Sequence, residues 1–335
     1  MSIPDIYFSH GYLVYECIYK FSVIQHEIIK YIILYTKYML ISRKLPTTEF
    51  QQRVPLLREK GFYEHQNKRK IVWLEYNLSQ IDDAKDTLIF IREEVDKAEL
   101  LNTTGKEGKP LTDPKELAKA ILICEALGFT ERQAEGWIDI LGPFVGIYQH
   151  LDDRTIGDAY DKLEVLHVLK QIFENTKSSD GNLSGDGSGL EKSRKQNYES
   201  RKKYEEYMIN IVDSREVVQA FHLGSRNEPK TMLKLVEQVR GDKLTLDAGF
   251  NCRELTVKID ELSMIPFIFP KKNNLLNGRP AWKLMYMELY YDVMLWLKEY
   301  HQRSHAESFY SSFKRKNKLL MKRRPMCQLS QITAR

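Results

Sequence analysis

Four residues late in the chain have the types and the spacing to act on a phosphate group. They follow one another at intervals of three, four and seven residues, and they are Tyr300, Arg303, Glu307 and Lys314. At about 100° per residue, one continuous helix would hold them within a sector of about 60° along roughly 21 Å. Taken alone, this face is better explained as solvated, with Arg303 and Glu307 forming an ordinary i,i+4 ion pair that contributes a few tenths of a kcal/mol.

Two upstream aspartates change that balance. Asp186 lies in Gly-Asp-Gly, where the flanking glycines allow a close approach of backbone and substrate. Asp247 ends a short β-rich run and precedes Ala-Gly-Phe, at a loop position that a sheet would hold in place. If Asp186 lies on a first strand, Asp247 ends a fourth and Glu307 projects from the closing helix, the three carboxylates can converge. Hard oxygen ligands of this kind favour Mg²⁺ or Mn²⁺.

The elements that must position these residues form an α/β pattern with a mixed sheet. The pattern predicts a hairpin, a helix, a strand, a helix, a strand and a long helical region, at 207–213 with 216–223, 228–239, 243–247, 252–262, 264–269 and 282–320. One more strand is needed ahead of the hairpin. The only candidate is the stretch from Leu183 to Asp186, inside a segment, 177–189, whose composition alone is that of a flexible Gly/Ser linker.

The region before the predicted sheet is helical. Helix-start signals at Thr112 to Pro114 and at Thr130 predict helices to about Leu127 and Leu141, and a third helix is predicted over 152–175. Three helices joined by tight turns suit a helix-turn-helix DNA reader, although the spacing alone favours plain helical packing. The residues offered to a groove would be Arg154, Thr155 and Asp158. Apolar periodicity also predicts helices over 15–40 and 71–101, without any sign of chemistry.

Charge is unevenly distributed along the 335 residues. The chain has a net charge of +5, but residues 301–335 hold nine basic residues and one acid, which gives +8 there and −3 in the first 300 residues. A local excess of this size favours a polyanionic partner, with nucleic acid the first candidate. Four scattered cysteines without a CxxC pair argue against a zinc ribbon or a disulfide framework and suit a reducing cytosol. Five charged residues interrupt the apolar stretch 12–42, so no membrane span or signal peptide is expected there.

The run from Tyr300 to Lys314 matches Y-x2-R-x3-E-x6-K at all four positions. It therefore resembles the signature around the catalytic Glu of DDE transposases from bacterial and archaeal insertion sequences. The segments Ser184–Leu190 and Leu246–Phe250 resemble the first and second Asp motifs of the same group, and 60 and 59 residues lie between the three acids. The resemblance covers about residues 110 to 325.

The resemblance implies an RNase H-like catalytic domain and cut-and-paste DNA transposition. Asp186, Asp247 and Glu307 would hold two divalent ions, Mg²⁺ or Mn²⁺. One ion would activate water, and later the 3′-hydroxyl of the transposon end, for in-line attack on a phosphodiester, and the other would stabilise the leaving oxygen. No covalent protein intermediate is implied.

The expected partner is double-stranded DNA, both the terminal inverted repeats and the target. A homodimer on DNA, no membrane contact and a cytoplasmic, nucleoid-associated location are also expected. Lys271 and Lys272 would contact the DNA backbone, although solvated surface lysines explain them equally well. The residues expected to contact DNA are Tyr300, Arg303, Lys314, Lys271, Lys272, Arg315 and Lys316.

These expectations divide the chain into a helical region, 1–102, a helix-turn-helix domain, 103–177, an RNase H-like catalytic domain, 178–320, and a basic tail, 321–335. The sequence departs from its relatives at Ser188 and Leu190, where they usually have Thr and an aromatic residue, and it lacks room for a β-rich insertion before Glu307. It also stops soon after the basic tract, as a truncated copy would. The alternative function is therefore a non-catalytic DNA-binding protein derived from a truncated or co-opted transposase.

Overall fold

The computed structural model describes residues 47–57, 72–101, 112–193, 204–224, 226–317 and 319–335. The helix expected over 15–40 and the loop expected over 103–110 lie outside these ranges. The chain divides into two compact units, residues 1–62 with 270–297, and residues 63–269 with 298–335. The helices expected to read DNA and the predicted sheet belong to the same, second unit.

The described elements alternate as an α/β protein requires. The helices are α1 (Thr47–Leu56), α2 (Trp73–Lys97), α3 (Pro114–Leu127), α4 (Glu131–Val145), α5 (Asp153–Ala159), α6 (Leu163–Thr176), α7 (Glu228–Leu235), α8 (Arg253–Glu261), α9 (Pro280–Tyr291), α10 (Val293–Tyr300), α11 (Ser304–Lys316) and α12 (Pro325–Ala334). The strands are β1 (Asn182–Glu191), β2 (Glu205–Val212), β3 (Val218–Leu223), β4 (Lys243–Leu246) and β5 (Ile265–Ile268).

The five strands form one mixed sheet in the order β3-β2-β1-β4-β5. β1, β2 and β3 pair antiparallel, whereas β4 runs parallel to β1 and β5 parallel to β4. The first strand that the hairpin required is β1, so the expectation of a strand inside the apparent linker is confirmed. Helix α7 packs against β2 and β3, α8 against β5, and α11 against β1 and β2.

The helical part of the second unit has its own apolar core, built from α2 through α6 with α12. Local signals fix the predicted helix starts. Asp113 accepts a hydrogen bond from the Lys115 amide at 2.8 Å, and Thr130 with Gln133 forms a capping box. Gly128 ends α3 in the left-handed conformation, with φ of 70°.

Two helix predictions were wrong in their continuity. The third helix, expected over 152–175, is split into α5 and α6 by a turn at 160–162. The region expected to be helical over 282–320 is broken at Asp292 and again by a 3₁₀ turn, His301–Arg303, before it ends at Lys316. No Pro or Gly lies at any of these three breaks.

The segment expected to be a basic tail contains a helix instead. Helix α12 packs against α3 and α6, and Cys327, Ser330 and Ile332 are among its buried residues. Arg335 and Glu125 form an ion pair at 2.7 Å in which both side chains are only 8 % exposed. Part of the expected tail is therefore a component of the helical core.

In the first unit, α1 and α9 meet through aromatic side chains. The rings of Phe50 and Tyr286 lie 5.4 Å apart, and the Arg53 guanidinium lies 4.7 Å from the ring centre of Tyr290. Among the helices in the described ranges, none is both long and apolar enough to cross a bilayer.

Candidate functional site

Asp186 and Asp247 lie next to each other at the centre of the sheet. In the parallel register of β1 and β4, Gly185 lies beside Leu246, so the following residue on each strand is one of the two aspartates. Neighbouring strands are separated by about 4.8 Å, which brings the two carboxylates to the same edge and the same side. Each carboxylate is oriented locally, since Asp186 accepts from the Gly187 amide at 2.8 Å and Asp247 from the Gly249 amide at 2.7 Å.

The glycines around Asp186 serve packing on the opposite side of the sheet. A methyl group added at Gly185 would lie 2.6 Å from Leu246 Cδ2 and 2.7 Å from Met232 Cε. A methyl group at Gly187 would lie 2.6 Å from the Tyr207 hydroxyl. The interpretation that they open space for substrate therefore needs correction, because they admit α7 and Tyr207 close to β1.

The 3₁₀ turn His301–Arg303 is hydrogen-bonded to β1 two residues before Asp186. Ser184 Oγ donates to the carbonyl oxygen of Gln302 at 2.7 Å, and Thr245 Oγ1 donates to Ser184 Oγ at 3.1 Å. Because residues three apart eclipse in a 3₁₀ turn, the break keeps Tyr300 and Arg303 on one side of the chain. Helix α11 is then held on β2 by the Tyr310 hydroxyl, which donates to the Met208 carbonyl oxygen at 2.8 Å.

Glu307 lies in the first turn of α11 and forms an ion pair with Arg303. The i,i+4 pair considered in the sequence is thus present. The Glu307 side chain is 54 % exposed, whereas that of Arg303 is 22 % exposed. Within the described ranges, no three His, Cys, Asp or Glu side chains are grouped closely enough to hold a metal ion. In this conformation the Glu307 carboxylate is paired with the Arg303 guanidinium and does not form a three-donor group with Asp186 and Asp247.

The three acids nevertheless share one electrostatic environment. Burial, with a smaller contribution from the negative charges of Asp247 and Glu307, raises the pKa of Asp186 to about 6 against the lowering effect of the Gly187 amide and Arg303. Burial raises the pKa of Tyr300 to about 12, with Arg303 opposing and the charges of Asp247 and Glu307 adding to the rise. A cation beside Asp186 would favour its ionised form.

The residues expected to contact DNA are placed differently from one another. Tyr300 is only 8 % exposed, and its ring packs 5.1 Å from that of Phe269, so contact with DNA would require its displacement. Lys314 donates to Ser188 Oγ at 2.6 Å, which brings the fourth signature residue to β1. Arg315 and Lys316 are exposed at the end of α11.

Lys271 and Lys272 are also exposed, but they lie in the segment 270–297, which belongs to the first unit. On the helical side, Arg154 and Asp158 are exposed on α5 and approach each other at 4.0 Å, whereas Thr155 is half-buried and its amide donates to Asp152.

Three residues near Asp186 were missed by the sequence reasoning. The Tyr207 hydroxyl donates to Glu228 at 2.6 Å, and the charges of Glu228, Asp186 and Asp247 add to the burial that raises the pKa of Tyr207. Asn210 faces Asp186 across β1 and β2, and its fully buried amide has no hydrogen-bond partner among the described residues. The only available signal was the alternation along β2, which places Asn210 on the side of Asp186.

The basic excess of the last 35 residues is partly neutralised. Lys322, Arg324 and Arg335 form ion pairs with acids of the helical region, which are respectively Glu131, Asp161 and Glu125. The +8 already subtracts Glu307, the partner of Arg303, so three of the eight excess positive charges are paired with acids outside the segment. The expectation of a continuous basic tail is corrected accordingly.

No protein-family model matches the chain, and no curated protein or solved structure is significantly similar to it.

Proposed function

We propose that the chain is a DDE transposase that cleaves and transfers DNA strands at insertion-sequence ends. The single observation that carries the proposal is that Asp186, in the middle of β1, lies beside Asp247, which directly follows β4, with Glu307 in the same electrostatic environment. Two of the three motifs thus lie side by side, and the third is near enough for its charge to act on Asp186.

The sheet supports an RNase H-like assignment for this part of the second unit. A long first strand at the centre, an antiparallel hairpin on one side and two parallel strands on the other are the arrangement expected of that fold. The helices α3, α4 and α5 are proposed as the helix-turn-helix, with Arg154 and Asp158 as exposed candidates for a DNA groove.

Divalent ions require a change at Glu307. Carboxylate oxygens are suitable donors for Mg²⁺ or Mn²⁺, but the Arg303–Glu307 pair leaves Asp186 and Asp247 without a third donor. We propose that Glu307 leaves Arg303 when a phosphate takes its place on the guanidinium, since Arg binds carboxylate and phosphate by the same fork of N–H donors. Bound ions would supply activation of the nucleophile and stabilisation of the leaving oxygen.

The protein's own residues then act on the DNA backbone. Arg303, released from Glu307, would bind a phosphate beside the acids, and Lys314 would add a second cation from the next turns of α11. Ser184 and Thr245 hold the turn that carries Arg303, so they are positioning residues. Two chains on two DNA ends are part of the same proposal.

The alternative is a non-catalytic DNA-binding protein. The observation that favours it is the occupied Glu307 carboxylate together with the lack of a three-donor group in the described residues. In that case the Arg303–Glu307 pair would be permanent, and the acids would bind no metal.

Metal binding and cleavage distinguish the two functions. Titration calorimetry with Mn²⁺ on the chain bound to a duplex of the flanking DNA, whose phosphates can release Glu307 from Arg303, should show binding to the wild type and at least tenfold weaker binding to Asp247→Asn. A plasmid that contains the DNA flanking the coding sequence should be cut in Mg²⁺ or Mn²⁺ by the wild type and not by Glu307→Gln. Asp260→Asn, at an exposed carboxylate of α8, serves as the matched control. No Mn²⁺ binding by the wild type would establish the non-catalytic alternative.

A further inference from the structure

The first half of α2 is a helix that the rest of the described chain does not cover. Every residue from Val72 to Asp86 is exposed, and burial begins only at Thr87. This segment nevertheless contains large apolar side chains, with Leu74 71 %, Leu78 52 % and Ile81 73 % exposed. Exposed apolar patches of this kind mark interaction surfaces in proteins that fold on their own.

These side chains form a heptad seam. Leu74, Leu78, Ile81, Lys85 and Leu88 are separated by four, three, four and three residues, the spacing of the a and d positions of a coiled coil. At about 100° per residue they fall within a sector of about 80°, and Val95 continues the same stripe. The C-terminal half of the stripe is packed, because Val95 is buried and Leu88 lies against the helical core. The N-terminal half of the stripe is also largely apolar, but no described residue buries it.

From this geometry we infer that residues 72–88 of α2 pair with the same residues of a second copy of the chain, as a short antiparallel coiled coil that forms without DNA. This interaction does not rest on the proposed transposase activity. A two-fold axis between Leu78 and Ile81 would place each Leu78 against the Ile81 of the copy. Residue 72 of one copy would then lie opposite residue 87 of the other, so each exposed segment would end where the other copy's packed core begins.

Charge and bulk both favour the antiparallel direction. A parallel pair would place Lys85 against Lys85 in the apolar seam, which repels. It would also bring the two compact cores, which begin at residue 87, to the same end of the coil. In the antiparallel pair, Lys85 lies opposite Leu74 of the copy and can reach its Glu75. In the parallel pair those two positions are ten residues apart, about 15 Å along the helix.

Sedimentation equilibrium of the full chain without DNA tests the inference. The wild type should reversibly dimerise in the micromolar range. Ile81→Asp should raise the dissociation constant at least tenfold, and Asp83→Ala, on the opposite side of the helix, should change it less than twofold. Because both positions are exposed, circular dichroism should be unchanged in both variants.

A charge swap tests the direction of pairing. Lys85→Glu and Glu75→Lys should each weaken the dimer about threefold or more, and the double variant should return to within twofold of the wild type. A chain that stays monomeric at about 100 μM would overturn the inference, as would a dimer that is indifferent to Ile81→Asp. Failure of the double variant to recover would overturn the antiparallel arrangement. A monomer whose 74–81 amides resist hydrogen exchange would show that the seam is covered within one chain.

Discussion

Lys314 Nζ donates a 2.6 Å hydrogen bond to Ser188 Oγ, and so connects the end of the Y-x2-R-x3-E-x6-K pattern to the strand that holds Asp186. In the transposases that the sequence resembles, the position of Ser188 is usually Thr. A hydroxyl is all that this contact requires, so the departure from the pattern preserves the function of the side chain. The contact also holds α11, and with it Glu307, against β1.

The Ser188 hydroxyl should therefore contribute measurably to stability. Ser188→Ala removes the acceptor of a charged donor in a half-buried position and should lower the free energy of unfolding by about 1 kcal/mol. Ser188→Thr should leave it nearly unchanged. Urea unfolding followed by circular dichroism measures the stability of both variants. The control is Ser308→Ala, at an exposed serine of α11. Equal stability of the Ala and Thr variants would show that the contact contributes nothing.

The pair of Arg335 and Glu125 should be among the strongest polar contributions to the helical core. Glu125 also accepts from the Tyr160 hydroxyl at 2.7 Å and from Gln331 Nε2 at 3.0 Å. Arg335→Met would leave a buried carboxylate without its cation and should cost about 3 kcal/mol in urea unfolding.

Two companion variants isolate the charge effect of that pair. Adding Glu125→Gln to Arg335→Met should recover much of the loss, because the buried group is then neutral. Arg323→Met, at an exposed arginine that has no ion pair in the described part of the chain, should cost little. A loss of under about 0.5 kcal/mol for Arg335→Met would contradict a buried ion pair.

Glu131 should make stability depend on acid pH. Burial alone would raise its pKa, but the hydrogen bond from Lys322, a backbone hydrogen bond and the charge of Lys322 together outweigh burial and lower the pKa below its ordinary value of 4.5. A depressed pKa stabilises the folded chain above the ordinary value, and this contribution is lost as the pH falls through the folded pKa. Glu131→Gln should therefore cost up to about 1 kcal/mol near pH 7, a small amount because the side chain is 38 % exposed, and nothing well below pH 4.

Urea unfolding at several pH values checks that dependence. Asp158→Asn, at an exposed carboxylate, gives the baseline for removing a surface charge. A deficit in Glu131→Gln that is the same near pH 7 and near pH 3 would exclude the charge of Glu131 as its cause.

Replacing Asn210 by an apolar residue should raise the stability of the fold and weaken metal binding. Because its buried amide has no described partner, Asn210→Leu should raise the free energy of unfolding by about 1 to 2 kcal/mol. The same change should weaken Mn²⁺ binding if the amide orients Asp186, its neighbour across the two strands. Calorimetry and urea unfolding on one sample measure both. A destabilised variant would mean that the amide is satisfied after all.

The sheet was largely predictable from sequence, because each strand has a local pattern and β1 was demanded by the missing partner of the hairpin. The break at His301–Arg303 was not predictable. Its residues are compatible with a helix, and the contact that accompanies the break, Ser184 with the Gln302 carbonyl, joins positions 118 residues apart. The sequence likewise predicted a tail where α12 lies, because the acids and apolar side chains that hold this helix are far upstream in the chain.

The residues of the candidate site were predictable from the sequence, but their geometry was only partly predictable. Spacing identified Asp186, Asp247 and Glu307, but the preference of Glu307 for Arg303 depends on side-chain orientation, which spacing does not determine. Burial of Tyr300 depends on Phe269, which only the folded sheet brings beside it.

The return of α12 to the helical core also has a consequence for synthesis on the ribosome. Gln331 and Glu125, which bond at 3.0 Å, are 206 residues apart in the chain. At ordinary rates of translation, roughly 10 to 40 s pass between the making of one and of the other. For most of that interval α3 and α6 have both been made without the helix that covers them, so the nascent chain exposes apolar surface to which a chaperone can bind.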